Sequence, residues 1–378
     1  MLSYILVGVA GCAKLCHLFY FGDLPVGCCL LALGSNLGNR AELLQTAVRR
    51  LNSHQELEII SSSPWHQTEP IGGPANQPLF LNGVVLVETR LTPFQLLEWT
   101  QEIEVELGRV NTQRWAARRL DIDLLLYDEQ IIDTPKLVLP HPRMTYRRFV
   151  LEPAAEVAPE MIHPVTGWTI SHLFKNLLCR PVYVALAGPA GSHKSALAQN
   201  LKSRFSCQIV TDAQRLGSSG GCGSLTADHN SAWKNELALL QHRVSILDHN
   251  RWQSTSAIVV SDFWLNQSLA YGSLCLSKKH FREFQATWRE TVVQTLPTTL
   301  VLFLDLQPAE SRKRIQQKVT DPESKFSDHW LDDLRQALIA QTRLPQAGPV
   351  LHLDVESSTT HSEINAVIRA LAPGNVGK

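Results

Sequence analysis

The sequence predicts two unlike domains in series, an α+β layered domain followed by an α/β domain on a five-stranded parallel sheet. Two observations carry this. Before about residue 179, strand-like and helix-like stretches alternate irregularly in the order β-α-β-α-β, with room for extra strands. Beyond Pro181, short apolar runs recur at helix-length intervals, continuous rather than alternating, as strands buried on both faces require. At 378 residues, each half is long enough to bury its own core.

In the first half, Cys29-Leu30-Leu31-Ala32-Leu33 reads as a strand, and Arg40 to Asn52 as a helix with apolar residues at helical spacing. Leu79 to Glu88 reads as a strand, Pro93 to Leu107 as a helix and Arg119 to Tyr127 as a strand. In the second half the strands fall at Val182 to Ala187, Gln208 to Thr211, Ala257 to Ser261, Leu300 to Leu304 and Val350 to Leu353. The Gly/Ser-rich stretch Gly217 to Gly223 reads as a flexible loop. The domain assignment is an extension over residues 1–28, a first domain over 29–178 and a second over 181–378.

Composition narrows the function classes. Hydrophobic residues at 44% and charged residues at 19% exclude a disordered or fibrous chain. Lys+Arg and Asp+Glu both total 35, so no global field recruits nucleic acid or an anionic membrane. Phosphate binding must come from local clusters. The eight cysteines are scattered, with no CxxC pair and no histidine at zinc spacing, which argues against a disulfide framework or zinc site and suits a reducing cytoplasm. Tyr4 to Phe21 is apolar but carries Lys14 and His17 and is short for a span. Val9-Ala10-Gly11-Cys12 looks superficially like a lipoprotein cleavage site, yet no Lys or Arg precedes the apolar run. The segment is read as a dispensable extension before a cytoplasmic, non-membrane enzyme.

The chemistry concentrates in Arg114-Trp115-Ala116-Ala117-Arg118-Arg119-Leu120-Asp121-Ile122-Asp123-Leu124. Residues two apart on a strand share a face, so Leu120, Ile122 and Leu124 point to the core and Asp121 and Asp123 project together opposite. Paired carboxylates can seat Mg²⁺, which takes hard oxygen ligands and keeps waters or substrate phosphates. Arg109, Arg114, Arg118 and Arg119 place fixed positive charge where a metal-bound polyphosphate would lie. Taken alone, Asp-x-Asp on a strand is more often a solvated face than a metal seat.

The rest of the half changes that weighting. Leu31-Ala32-Leu33-Gly34-Ser35-Asn36-Leu37-Gly38-Asn39-Arg40, Gln67-Thr68-Glu69-Pro70-Ile71-Gly72 and Gln77-Pro78-Leu79-Phe80-Leu81-Asn82 resemble the 6-hydroxymethyl-7,8-dihydropterin pyrophosphokinase family. The resemblance continues through Arg114-Trp115 and Leu120 to Leu124, and closes with Leu139-Pro140-His141-Pro142-Arg143-Met144 and Arg147 to Pro153, in family order and spacing over about residues 29–175. It implies a ferredoxin-like α+β fold and transfer of pyrophosphate from ATP to the pterin, with AMP released, in folate synthesis. It implies that Asp121 and Asp123 hold two magnesium ions between ATP and the pterin alcohol, and that Arg109 and Arg118 act in catalysis. Gly34, Thr68, Ile71, Phe80, Asn82, Trp115 and Phe149 would line the pterin pocket; Glu104, Arg114, Ile122, His141 and Arg147 would contact ATP. Ala116-Ala117 stands where the family has Gly-Pro, and Asn111 and Lys136 where the best-known member has arginines. None of these departures touches the metal ligands. The non-enzyme alternative is a pterin-binding module whose arginine-bearing loop no longer closes.

In the second half, Gly188-Pro189-Ala190-Gly191-Ser192-His193-Lys194-Ser195 follows a strand and precedes a helix, the context of a P-loop. Gly188, Gly191, Lys194 and Ser195 suit phosphate binding, but His193 replaces the last glycine, where a side chain obstructs the curve of amides. This half resembles the deoxynucleoside kinase family over about residues 181–372, on the loop, on Val260 to Gln267, and on Leu302 to Leu306 followed by the basic helix Arg312-Lys313-Arg314, which would correspond to the lid. Asp212 stands where the family has a general-base Glu, Gln241 keeps the base-reading position with no Arg at the usual spacing, and Phe263 replaces an arginine. Two readings stay open: a nucleoside kinase, or a degenerate nucleotide-binding module, toward which the eroded positions lean. The resemblance also implies a homodimer through this half.

Overall fold

The computed structural model describes residues 26–74, 76–109, 116–212, 229–253, 258–317 and 327–372. The expected loop at Gly217 to Gly223 and nearly all of the N-terminal extension lie outside them. The chain divides into two compact units. One holds the residues up to Pro70, Pro74–Met144 and Phe149–Phe174; the other holds Ile71–Gly73, Thr145–Arg148 and the residues from Lys175 onward.

The first unit is built on β1 (Gly27–Ser35), α1 (Arg40–Leu51), β2 (Leu57–Ser62), β3 (His66–Thr68), β4 (Phe80–Thr89), α2 (Pro93–Glu106) and β5 (Asp121–Tyr127). Its sheet has the order β2-β4-β1-β5 with β3 on β4, and every pairing is antiparallel. That is the ferredoxin-like order the resemblance implies. A small ladder, β6 (Ile132–Asp133) with β7 (Val138–Leu139), and helices α3 (Arg148–Val157) and α4 (Ile170–Leu178) follow.

Alternation decides which sheet face is used. Cys29, Leu31 and Leu33 of β1 join Val85 and Val87 of β4 and Ile122 and Leu124 of β5 in one buried cluster with Leu44, Ala47 and Leu51 of α1 and Leu96 and Ile103 of α2. Ala32, Gly34, Asn82, Asp121 and Asp123 therefore share the opposite face. The register aligns them: Gly34 pairs with Asn82 on one side and Asp121 on the other, and Ala32 with Asp123.

Two local features carry side chains to that face. Helix α2 starts with Pro93 behind a Thr92–Gln95 capping box. It stops at Gly108 (φ +87°), where Gly108 N donates to Val105 O and Arg109 N to Glu104 O at 2.8 Å, a Schellman closure that leaves Arg109 beside Glu104. A bulge in the β1–β5 ladder between Leu30 and Leu31 leaves Leu125 out of the pairing, and the Leu125 carbonyl accepts from His141 N at 2.8 Å. His141 is thereby held next to β5.

A buried histidine makes the first unit acid-sensitive. His163 is 5% exposed, and its Nδ1 accepts from Thr166 N. Burial pushes its pKa down to about 4 from the ordinary 6.5. The unfolded chain thus binds the proton more readily, so the stability contributed by neutral His163 is present above pH 6.5 and is lost as pH falls toward 4. The full loss is about 3 kcal/mol. Urea unfolding of the first unit at pH 7 and pH 4 should show a wild-type deficit at low pH that His163→Leu lacks; equal pH dependence in both proteins would contradict this.

The second unit is a parallel sheet of β8 (Val182–Ala187), β9 (Gln208–Val210), β10 (Ile258–Ser261), β11 (Leu300–Asp305) and β12 (Val350–Asp354), in the order β12-β11-β8-β10-β9. All five strands fall where the apolar runs predict them. Helices α5 (Lys194–Phe205), α6 (His229–Ile246), α7 (His249–Trp252), α8 (Gln267–Cys275), α9 (Lys278–Val292), α10 (Pro308–Gln316), α11 (Asp328–Thr342) and α12 (Thr360–Leu371) connect and cover it. Tyr183, Val259, Phe263, Trp264, Phe284 and Phe303 form the centre of its core. Cys275 is disulfide-bonded, which its scattered spacing did not predict, whereas Cys28, Cys29, Cys179 and Cys207 are free thiols. Among the described residues no helix is long and apolar enough to cross a membrane.

Candidate active site

The exposed face of the first sheet brings two groups of side chains together across β1. On the β4 side, Asn82 Nδ2 donates to Thr68 Oγ1 at 2.6 Å, which fixes the amide and turns its oxygen toward Gly34. A Cβ added at Gly34 would stand 2.7 Å from Asn82 Oδ1 and 3.9 Å from the Phe80 ring. Only glycine leaves this backbone open to a flat ligand.

On the β5 side, Asp121 accepts from Arg118 Nη1 at 2.6 Å and stands 3.5 Å from Arg109 Nη1. The Asp123 carboxylate is 3.8 Å from His141 Nε2 and carries about a third of its surface in solvent. Burial, and then the charge of Asp123, push the Asp121 carboxyl upward, while Arg118 and Arg109 oppose the shift. Two neighbouring carboxylates on one sheet face place negative charge where a divalent cation could neutralise it. Among the described residues no group of three or more His, Cys, Asp or Glu could hold a metal by itself. Asp121 and Asp123 are hard oxygen donors of the kind Mg²⁺ takes alongside water and phosphate oxygens.

Residues 30–159 match the family described as 7,8-dihydro-6-hydroxymethylpterin-pyrophosphokinase. A 2-amino-4-hydroxy-6-hydroxymethyldihydropteridine pyrophosphokinase of Pseudomonas aeruginosa is 44% identical over 134 residues, which is 35% of this chain and 82% of the relative. The enzyme of the same name from Bacillus subtilis is 44% identical over 137 residues, 36% of this chain and 81% of the relative. The chain belongs to this pyrophosphokinase family. The pyrophosphokinase activity of this family, in folate synthesis, belongs to the matched residues 30–159. The second unit is similar to deoxyadenosine kinase from M. mycoides with bound dATP, at 14% identity and a TM-score of 0.41, covering 48% of this chain and 96% of that one.

Among the site residues expected from the pyrophosphokinase resemblance, Gly34, Thr68, Phe80, Asn82, Asp121 and Asp123 lie on the shared face, with Arg109, Arg118 and His141 against the carboxylates. Ile122 presents its backbone there and its side chain to the core. Phe149 is the second residue of α3 and is half-buried. Ile71 and Arg147 cluster with the second unit. Arg114 and Trp115 lie outside the described residues.

Glu104 requires a correction. Expected among the ATP contacts, it is 2% exposed and both of its oxygens are engaged. Oε1 accepts from Ile122 N at 2.8 Å, and Oε2 pairs with Arg109 Nη1. Glu104 is therefore a positioning residue that ties the end of α2 to β5 and aims Arg109. Burial pushes its carboxyl up to about 7, with the Ile122 amide and Arg109 pulling the other way. Sequence reasoning also gave no role to Asn36. Buried at 1% exposure, it donates its backbone N–H to Arg118 O at 3.1 Å and accepts from Arg118 N on Oδ1 at 2.8 Å. This two-point clamp fixes where the Arg118 side chain departs.

The second unit carries a cavity of about 640 Å³ lined by Gly191, His193, Lys194 and Ser195 of the loop, Arg314 of α10, and Asp212, Arg243, Asp262, Phe263, Gln267 and Tyr271. Gly188 lies against the Leu304 backbone and does not line it. His193 does not prevent the loop from curving: it adopts the left-handed conformation (φ 58°, ψ 29°) and heads α5. Lys194 Nζ donates to Gly188 O at 2.8 Å, Pro189 O at 3.0 Å and Ser192 Oγ at 3.2 Å.

The expectation for α6 is also corrected. Gln241 is exposed and outside the cavity lining, whereas Arg243, 4% exposed, faces in. Its Nη2 donates to Asp212 Oδ2 at 2.5 Å, its Nη1 to Ser268 Oγ at 2.7 Å, and its guanidinium lies 5.1 Å from the Phe263 ring centre. Arg243, two positions beyond Gln241, thus lies on the opposite side of the same turn and faces the cavity. Buried Glu236 has its carboxyl pushed up to about 7 by burial, an effect Arg243 opposes and Asp212 reinforces.

Proposed function

We propose that residues 29–178 bind ATP and 6-hydroxymethyl-7,8-dihydropterin on this sheet face and transfer the terminal diphosphate of ATP to the pterin hydroxymethyl oxygen. A bond forms between that oxygen and the β-phosphorus, the bond from the β-phosphorus to the bridging oxygen breaks, and AMP leaves. The observation that supports this reading is the register across β1, where Gly34 separates the Asn82–Thr68 pair from the Asp121–Asp123 pair by one strand on each side.

The pterin lies over Gly34, with Phe80 and Phe149 beside the ring. Asn82 has its amide orientation fixed by Thr68 and offers the pterin edge its carbonyl oxygen. Asp121 and Asp123 would hold two Mg²⁺ ions, which supply charge neutralisation to the polyphosphate and a common anchor for the two substrates. Arg118 and Arg109, anchored through Asn36 and Glu104, place guanidinium donors where charge accumulates on the transferring group. His141 sits at the outer carboxylate, where it can donate to a phosphate oxygen. Gly34→Ala tests the pterin position. Its methyl should displace Asn82 and raise KM for the pterin about tenfold or more while leaving KM for ATP near the wild-type value; equal effects on both substrates would contradict the assignment.

For residues 181–378 the observations favour nucleotide binding without phosphoryl transfer. Asp212, at the position of the expected general base, has Oδ2 committed to Arg243, and the side chain at His193 sits in a backbone conformation that costs about 1–2 kcal/mol outside glycine. Incubation with ATP and a panel of deoxynucleosides should yield no nucleoside monophosphate, and robust phosphorylation of any of them would overturn this reading.

A further inference from the structure

We propose that the cavity of the second unit binds AMP, the nucleotide that pyrophosphate transfer from ATP leaves behind, with its phosphate at the start of α5 and its sugar and base donors on Gln267 and Asp212. The inference rests on the reading that the first unit releases AMP and the second binds a nucleotide. At about 640 Å³ the cavity falls in the range of small-molecule sites, and its lining divides by chemistry.

Part of the lining suits a phosphate. Helix α5 is 12 residues long, so its first turn carries amides with no intrahelical acceptor and the positive end of the helix dipole. Lys194 and Ser195 open that turn, and Arg314 of α10 lines the same space.

Two further lining residues ask for hydrogen-bond donors. Gln267 is 6% exposed, and among the described residues its Oε1 has no partner. Asp212 uses Oδ2 for Arg243, and its buried Oδ1 likewise has none. Leaving a buried acceptor unpaired is unfavourable, so two of them in one lining favour a ligand that brings at least two donors. Inorganic phosphate satisfies only the basic groups, and a nucleoside only the acceptors. A ribonucleoside monophosphate satisfies both, through its ribose hydroxyls or exocyclic amine, and Phe263 and Tyr271 offer apolar surface for its base. The Arg243 partner also neutralises Asp212, which would otherwise repel a phosphate. AMP is the member of this class that one turnover of the first unit produces on the same chain.

Titration calorimetry of the full chain with AMP, adenosine and inorganic phosphate tests the proposal. AMP should bind at least tenfold more tightly than either fragment. Gln267→Leu should weaken AMP at least tenfold, and Arg314→Ala, at a half-buried residue paired with Glu310, should weaken AMP while leaving adenosine unchanged; the second variant keeps the test valid if the first fails to fold by circular dichroism. Phosphate binding as tightly as AMP, adenosine binding as tightly as AMP, or AMP affinity unchanged by Arg314→Ala would each overturn it. Chromatography of a parallel incubation with ATP and the pterin separates the two readings. If no AMP is made, the pyrophosphokinase reading fails; if AMP is made but added AMP does not bind the second unit, this one does.

Discussion

Asp121→Asn and Asp123→Asn should each lower pterin-dependent AMP formation by about 10²–10³-fold, a loss of roughly 3–4 kcal/mol of transition-state stabilisation. Asparagine keeps the shape and the β5 pairing but removes one of the two negative charges on which the magnesium seat depends. The two variants should differ in stability. Asp121 is the more buried, its carboxyl is pushed upward by burial and by Asp123, and it carries the Arg118 pair. Asp121→Asn therefore relieves carboxylate repulsion but takes the Arg118 ion pair with it, whereas Asp123→Asn relieves the same repulsion at the cost only of the longer contact with His141. Both should remain folded by circular dichroism. Near-normal turnover by a folded Asp123→Asn protein would contradict the metal seat, and so would an Asp121→Asn protein whose dependence on magnesium is unchanged.

Arg118→Ala should reduce kcat by about 10²-fold or more while changing KM for the pterin by less than a few-fold. Its guanidinium is 24% exposed at the rim of the site, held by Asp121 on one side and by the Asn36 clamp at its backbone. In the proposed arrangement the charge that develops during transfer meets that guanidinium, and the pterin lies on the other side of β1. Arg118→Lys should recover only part of the loss, because a point charge lacks the fork that holds two phosphate oxygens. A variant that raises KM for the pterin with kcat intact would move Arg118 out of the transfer step.

The parts of this arrangement that were legible in the sequence obey a local period. Asp121 and Asp123 are two residues apart on a strand flanked by Leu120, Ile122 and Leu124, so their common face followed from alternation alone, and the five continuous apolar runs of the second half became the five parallel strands. The illegible parts depend on contacts distant along the chain. Glu104 reads as one more helix acid, and only the packing of α2 on β5 reveals that it receives the Ile122 amide and aims Arg109. The His141 loop is carried to Asp123 by a single unpaired residue in β5, which no periodicity announces. Arg243 was missed for a geometric reason. Reading Gln241 as the inward residue puts a neighbour two positions away about 200° round the helix, and α6 is turned the other way.

The central claim is that the first unit transfers a diphosphate rather than a single phosphate. Its most direct measurement is the nucleotide product formed by the purified full chain with ATP, Mg²⁺ and 6-hydroxymethyl-7,8-dihydropterin, resolved by anion-exchange chromatography. The account predicts AMP in a one-to-one ratio with pterin consumed, none when the pterin or Mg²⁺ is omitted, and no ADP; ADP as the product, or nucleotide release that does not require the pterin, would contradict it.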